Sequence, residues 1–111
     1  MSALIVNGMS VAVDHEGFLV DLNDWSESVA EALANEEGIE LKAEHLEILR
    51  VLREFYQEFK LSPATRPLIK YTALKLGPDK GNSMHLNRLF KGTPAKLAAK
   101  LAGLPKPSNC I

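Results

Sequence analysis

The sequence has no glycine-rich phosphate loop, no G-x-S-x-G elbow, no His-x-x-x-His and no pair of cysteines. These absences remove the common cradle for a nucleotide, the common serine nucleophile and the common zinc frameworks. His15, His45 and His85 fall in separate stretches, with too few ligand types close by in sequence, so neither a metal nor a cofactor is expected. No apolar run approaches the roughly 18 residues of a membrane span, and no membrane partner is expected. The start, "MSALIVNGMS", lacks the charged opening and long apolar stretch of a signal peptide, so a cytoplasmic location is the default expectation. Aromatics make up 6% of the chain and do not alternate with lysines as in a single-strand nucleic-acid platform. The lone cysteine, Cys110, cannot close an intramolecular disulfide, and reducing conditions would keep its thiol free.

Acidic residues are nearly missing from one half. Residues 60–111 hold 10 basic and 1 acidic side chain, whereas residues 1–59 hold 3 basic and 13 acidic, for a net charge of −1 overall. Two readings follow: the halves face each other within one fold, or the second half offers a basic face to an acidic partner or a nucleic acid.

What is present reads as one domain spanning 1–111, with no internal repeat. With 46% apolar residues, its 111 residues can build one core. "LIVNGMSVAV" predicts a hairpin, since Asn7-Gly8 suits the positive φ angles of a type I′ turn. "HEGFLVDL" predicts a third short strand. In "NDWSESVAEALANEEG", Asn23 or Asp24 is placed to cap a helix carrying Trp25, Val29 and Leu33 on one face and ending at Gly38. In "KAEHLEILRVLREFYQEFK", Leu46, Leu49, Leu52, Phe55, Tyr56 and Phe59 recur at helical spacing. Ser62-Pro63 reads as a cap and first-turn proline for a helix reaching Gly77. Asn82 or Ser83 caps "MHLNRLF", and Thr93-Pro94 starts a last helix that runs to Gly103. The fold class is α+β, mainly helical: a hairpin followed by about five helices.

The remainder, 103–111, is expected to be a mobile arm, because Pro105 and Pro107 favour extended backbone and few apolar groups are there to dock it. A lone cytoplasmic cysteine is usually an inert core residue. In "LPKPSNCI" that role is opposed by the prolines and the polar neighbours Ser108 and Asn109. Two readings of Cys110 stand on the residues alone: an unselected position, or a working thiol that takes sulfur from one protein and gives it to another. Lys96, Lys100 and Lys106 would favour the thiolate by Coulomb attraction, and the nearby C-terminal carboxylate would oppose it. No general base lies near Cys110 in sequence, which argues against free-standing hydrolysis.

"GFL", "WSE", "EHLEILRVLREFYQEF", "SPATR", "KGNS", "RLF", "PAK" and above all "AGLPKPSNCI" resemble the TusE/DsrC family of sulfur-relay proteins over nearly the whole chain. The resemblance implies a hairpin, a helical bundle with a helix-turn-helix-like part, and a flexible arm ending in a cysteine and one aliphatic residue. Two-cysteine members carry a second thiol that would align at Ala99, so a bridge within the arm is not implied here. The single-cysteine type implies that Cys110 accepts persulfide sulfur from a TusBCD-like complex, on its TusD subunit, and passes it to an MnmA-like thiouridylase bound to tRNA. Leu46 stands where the family typically has tryptophan, and His85 and Asn87 where tyrosines are common. Arg88, Lys91, Lys96 and Lys100 could then steer the arm toward its partner. Two alternatives stay open: a single-cysteine relative of DsrC serving another sulfur pathway, and a nucleic-acid-binding regulator using "ATRPLIKYTALKL" and "MHLNRLF". Direct nucleic-acid contact is left open.

Overall fold

A computed structural model describes residues 2–107. Strand β1 (Ser2–Val6) pairs antiparallel with β2 (Met9–Val13), with Val6 opposite Met9. Asn7 and Gly8 hold φ 51° and 79°, the left-handed pair that a type I′ turn requires. Helices α1 (Glu27–Glu36), α2 (Ala43–Phe59), α3 (Thr65–Leu76), α4 (Ser83–Phe90) and α5 (Pro94–Leu101) follow. The hairpin and five helices are as the sequence implies.

The third strand does not form. "HEGFLVDL" instead turns on Asp14, whose carboxylate accepts the N–H groups of Glu16 and Phe18 at 2.9 and 3.0 Å. Only a single bridge, Val13 to Leu19, remains of the expected pairing. The first helix also starts later than Asn23 or Asp24. Asp21 caps a short 3-10 turn at Leu22–Asp24, and Ser26 caps α1 by accepting the Val29 N–H at 3.2 Å. Trp25 therefore lies in the link between the two and not on the α1 face.

The face of α2 is rotated from the expected one. His45, Ile48, Leu49, Val51, Leu52 and Phe55 are buried, Leu46 and Tyr56 only partly, and Phe59 is exposed. Ser62 does not cap α3, whose N-cap is Ala64. Asn82 caps α4 as expected, accepting the His85 N–H at 2.8 Å.

Short α5 occupies the centre and touches the other four helices. Its small residues make this possible: Ala95, Ala98 and Ala99 are buried and let neighbouring backbones approach. Leu97 and Leu101 fill the space between, joined by Leu33, Ile48, Leu49, Leu68, Leu86 and Phe90 in one core. The arm thus springs from the most enclosed helix of the molecule.

The opposed charges of the two halves meet across the fold. Lys80 pairs with Glu47, Arg88 with Glu44 and Lys75 with Glu54. Lys100 pairs with Glu37, while Lys96 and Lys106 share Glu16.

Candidate functional site: the root of the C-terminal arm

Cys110, the thiol singled out above, lies outside the described residues, as do its neighbours Ser108, Asn109 and Ile111. What the structure defines is the root from which that thiol is carried.

The root begins with a helix stop. Gly103 takes φ 73°, so its N–H bonds the Lys100 carbonyl at 3.1 Å and the Leu104 N–H bonds the Ala99 carbonyl at 2.9 Å. This pair of bonds is a Schellman motif. It turns Leu104 back into the core, where it is 1% exposed. Ala99 itself is buried within α5. A side chain at position 103 is also excluded sterically, since a Cβ there would lie 2.6 Å from the Trp25 ring.

Two long side chains then hold the end of α5. The Trp25 indole N–H donates to the Leu101 carbonyl at 2.8 Å. Arg53 donates to the Ala102 carbonyl at 2.7 Å and to the Leu22 carbonyl at 3.3 Å. Its guanidinium sits 4.5 Å from the centre of the Trp25 ring. Burial lowers the Arg53 pKa from its ordinary value. No described carboxylate pairs with it, so carbonyl dipoles and the indole face offset its charge.

Beyond Leu104 the chain is pinned twice. The Ser62 hydroxyl donates to the Pro105 carbonyl at 2.5 Å. Lys106 reaches Glu16 at 3.2 Å. The Lys106 hydrogen bond, aided by its charge and by Lys96, lowers the Glu16 pKa despite some desolvation. Pro107 is buried. Gly103, Leu104 and Pro107 are therefore buried, and the exposed Pro105 and Lys106 are tied to Ser62 and Glu16, whereas 103–111 was expected to be a mobile arm. The expected mobility of 108–111 falls outside the described residues.

The lysines thought to favour a thiolate are committed elsewhere: Lys96 and Lys106 to Glu16, and Lys100 to Glu37 at 2.5 Å. The residues thought to steer the arm are likewise engaged. Arg88 holds Glu44 at 3.0 Å, and Lys91 donates to the Glu37 carbonyl. Arg88, the one arginine of "MHLNRLF" in the nucleic-acid-binding alternative, is thus occupied by a carboxylate.

The three histidines stay apart. His15 is exposed, His85 lies on α4, and His45 is buried against Phe90 with its ring on the Leu89 carbonyl at 3.1 Å. Among the described residues, no three histidine, cysteine, aspartate or glutamate side chains gather to hold a metal. No described helix is long and apolar enough to cross a membrane.

Trp25, Arg53, Ser62 and Glu16 are missing from the sequence reading of this site. Only the Gly-Leu-Pro run after α5 carried a local signal, that of a helix stop followed by an inward apolar residue.

The model of the DsrC-like protein family matches residues 5–111. The chain is 55% identical over 108 residues to the sulfurtransferase TusE of Salmonella typhimurium, covering 97% of this chain and 99% of that protein. It is 51% identical, with the same coverage, to the sulfurtransferase TusE of Escherichia coli K12. The solution structure of Allochromatium vinosum DsrC superposes with a TM-score of 0.90 at 46% identity, covering 99% of this chain and 98% of that one. The oxidised DsrC γ-subunit of dissimilatory sulfite reductase from Archaeoglobus fulgidus gives 0.84 at 39% identity, covering 98% and 99%.

Proposed function

This chain belongs to the DsrC-like protein family, and from that premise we propose that it is a sulfurtransferase of the carrier type, working through a persulfide on Cys110. The observation that supports this most is the joining of two features. A lone thiol follows the sequence "AGLPKP", and that sequence forms an anchored root on the central helix.

The Cys110 thiolate attacks the outer sulfur of a persulfide on the donor protein. The donor's S–S bond breaks, the donor leaves as a thiolate, and Cys110 becomes a persulfide. In the second step an acceptor thiolate takes the outer sulfur and Cys110 returns to the thiolate. Bonds and electrons balance, so no outside oxidant or reductant is required. With alanine at position 99, on α5, and no second cysteine in the sequence, the carried sulfur cannot be displaced by another thiol of the same molecule.

The donor in this reading is a TusBCD-like complex, on its TusD subunit. The acceptor is an MnmA-like thiouridylase holding tRNA, and the product is the 2-thiouridine of the wobble position. The relay belongs in the cytoplasm, where a lone thiol stays reduced.

Incubation with a persulfide donor should add a mass of about 32 Da, one sulfur on the cysteine. A Cys110→Ser protein that still gained and relayed sulfur would sink the reading. The pathway is tested separately by tRNA from a deletion strain, in which wobble 2-thiouridine should be lost. Unchanged modification would point to another sulfur-transfer route.

A further inference from the structure

Ten basic residues lie between positions 60 and 106, and seven of them are engaged with the body of the protein. Lys75, Lys80, Arg88, Lys96, Lys100 and Lys106 hold carboxylates, and Lys91 holds a carbonyl. Lys60, Arg66 and Lys70 hold nothing among the described residues. The uncompensated charge of the basic half is thus concentrated on the α2–α3 loop and the first turns of α3. Glu58 is the one carboxylate in the stretch 58–70, and it also accepts from the Tyr71 hydroxyl at 3.3 Å.

The same loop exposes apolar surface. Phe59 and Leu61 are 47% and 55% exposed, and Leu74, two turns beyond Arg66 on α3, is 77% exposed. Between Phe59 and Leu61, Lys60 takes the left-handed conformation with φ 59° that ends α2.

The loop adjoins the arm, because Ser62 holds Pro105. Cys110 is the third residue after Pro107. A fully extended chain covers at most about 3.5 Å per residue, so a partner that takes up the thiol must come within about 10 Å of the Pro107 anchor. A specific protein interface covers roughly 800 Å² per partner, far more than a thiol pocket. The remainder must lie on the body around the root. At Lys106, Glu16 neutralises Lys96 and Lys106; at Pro105, the loop that supplies Ser62 also carries the free Lys60 and the exposed Phe59 and Leu61.

Resting on the carrier reading, we propose that Phe59, Lys60, Leu61, Arg66 and Lys70 form the docking surface for the arm's protein partner. That partner is one whose thiol site is framed by carboxylates and an apolar spot. Apolar anchors beside arginine are the composition of an interface centre. An RNA occupant is less well served. Leu61 and Leu74 offer no ring to stack on, and the Phe59 ring packs against Phe55 with centroids 4.5 Å apart.

The test measures the affinity of the full chain for purified TusBCD complex at about 50 mM and about 300 mM salt. Lys60→Glu/Arg66→Glu should weaken binding about ten-fold at low salt and flatten its salt dependence, whereas Lys91→Glu should leave both unchanged. Equal binding by the double variant overturns the proposal. So does competition by free tRNA, which assigns the surface to RNA. A Cys110→Ala chain separates the two readings: docking persists in it while loading is lost. If the wild-type chain binds but accepts no sulfur, the carrier reading fails and the docking surface stands.

Discussion

Ser62 and Pro105 stand 43 residues apart in sequence and meet at 2.5 Å, hydroxyl to carbonyl. Ser62 is followed by proline and precedes a helix, the usual setting of an N-cap. Yet α3 begins only at Thr65, with Ala64, two residues after Ser62, as an N-cap that makes no side-chain bond. The serine hydroxyl is withdrawn from the helix and given to the arm.

Ser62→Ala should therefore lower stability by about 1 kcal/mol, the net value of one hydrogen bond. The change should be local. Hydrogen exchange of the Leu104 amide, which is bonded to the Ala99 carbonyl beside the Ser62–Pro105 contact, should speed up while amides in α3 keep their protection. Faster exchange throughout α3 would show that the hydroxyl serves the helix after all.

Thr72 is a misfit of the opposite kind. Its side chain is wholly buried on α3, and its hydroxyl has no hydrogen-bond partner among the described residues. A buried hydroxyl without a partner costs about 1–3 kcal/mol, and an isosteric apolar group removes that cost. Thr72→Val should raise stability by about 1 kcal/mol in urea unfolding. A loss of stability would reveal an ordered water on the hydroxyl.

His45 sets a pH limit. Its Nδ1 accepts the Lys42 N–H at 3.1 Å, and its Nε2 lies 3.1 Å from the Leu89 carbonyl. The neutral ring protonated on Nε2 satisfies both bonds, and adding a second proton breaks the first. Burial lowers the His45 pKa from 6.5, outweighing the Leu89 bond that raises it. The unfolded chain then takes up the proton first. The contribution of His45 is fully present above pH 6.5 and falls away as pH drops toward the folded value. Unfolding free energy should decline as pH falls below about 6.5, and His45→Gln should flatten that decline. Asp14, Glu16 and Glu44 do not confuse the window, because their lowered pKa values lie beneath 3.8 or 4.5.

Much of the fold was legible because its signals are local. Asn7-Gly8, the Asn82 cap and Thr93-Pro94 each dictate backbone geometry within a few residues. The misreadings came where distant parts compete. Asp14 captures two amides that a third strand would have used. The burial of α2 is decided by where α5 and α3 lie against it, so Ile48 and Val51 replace Leu46 and Phe59 on the inner face. The charge split was visible by counting, but which cations stay free is a property of the assembled surface. For the site, the prolines pointed to an extended arm. They could not show that Leu104 is a core residue or that Trp25, Arg53 and Ser62 grip the root.

Trp25 is the chain's single tryptophan, and its indole is wedged between Arg53 and the last carbonyl of α5, at the base of the arm. The protein consequently carries its own optical gauge at that point. Any partner that lifts or clamps the root alters the hydrogen bond and the stacked charge around the only strong emitter in the molecule. Occupancy can then be followed from the emission of the unlabelled chain, provided the partner's own tryptophans are silent or replaced.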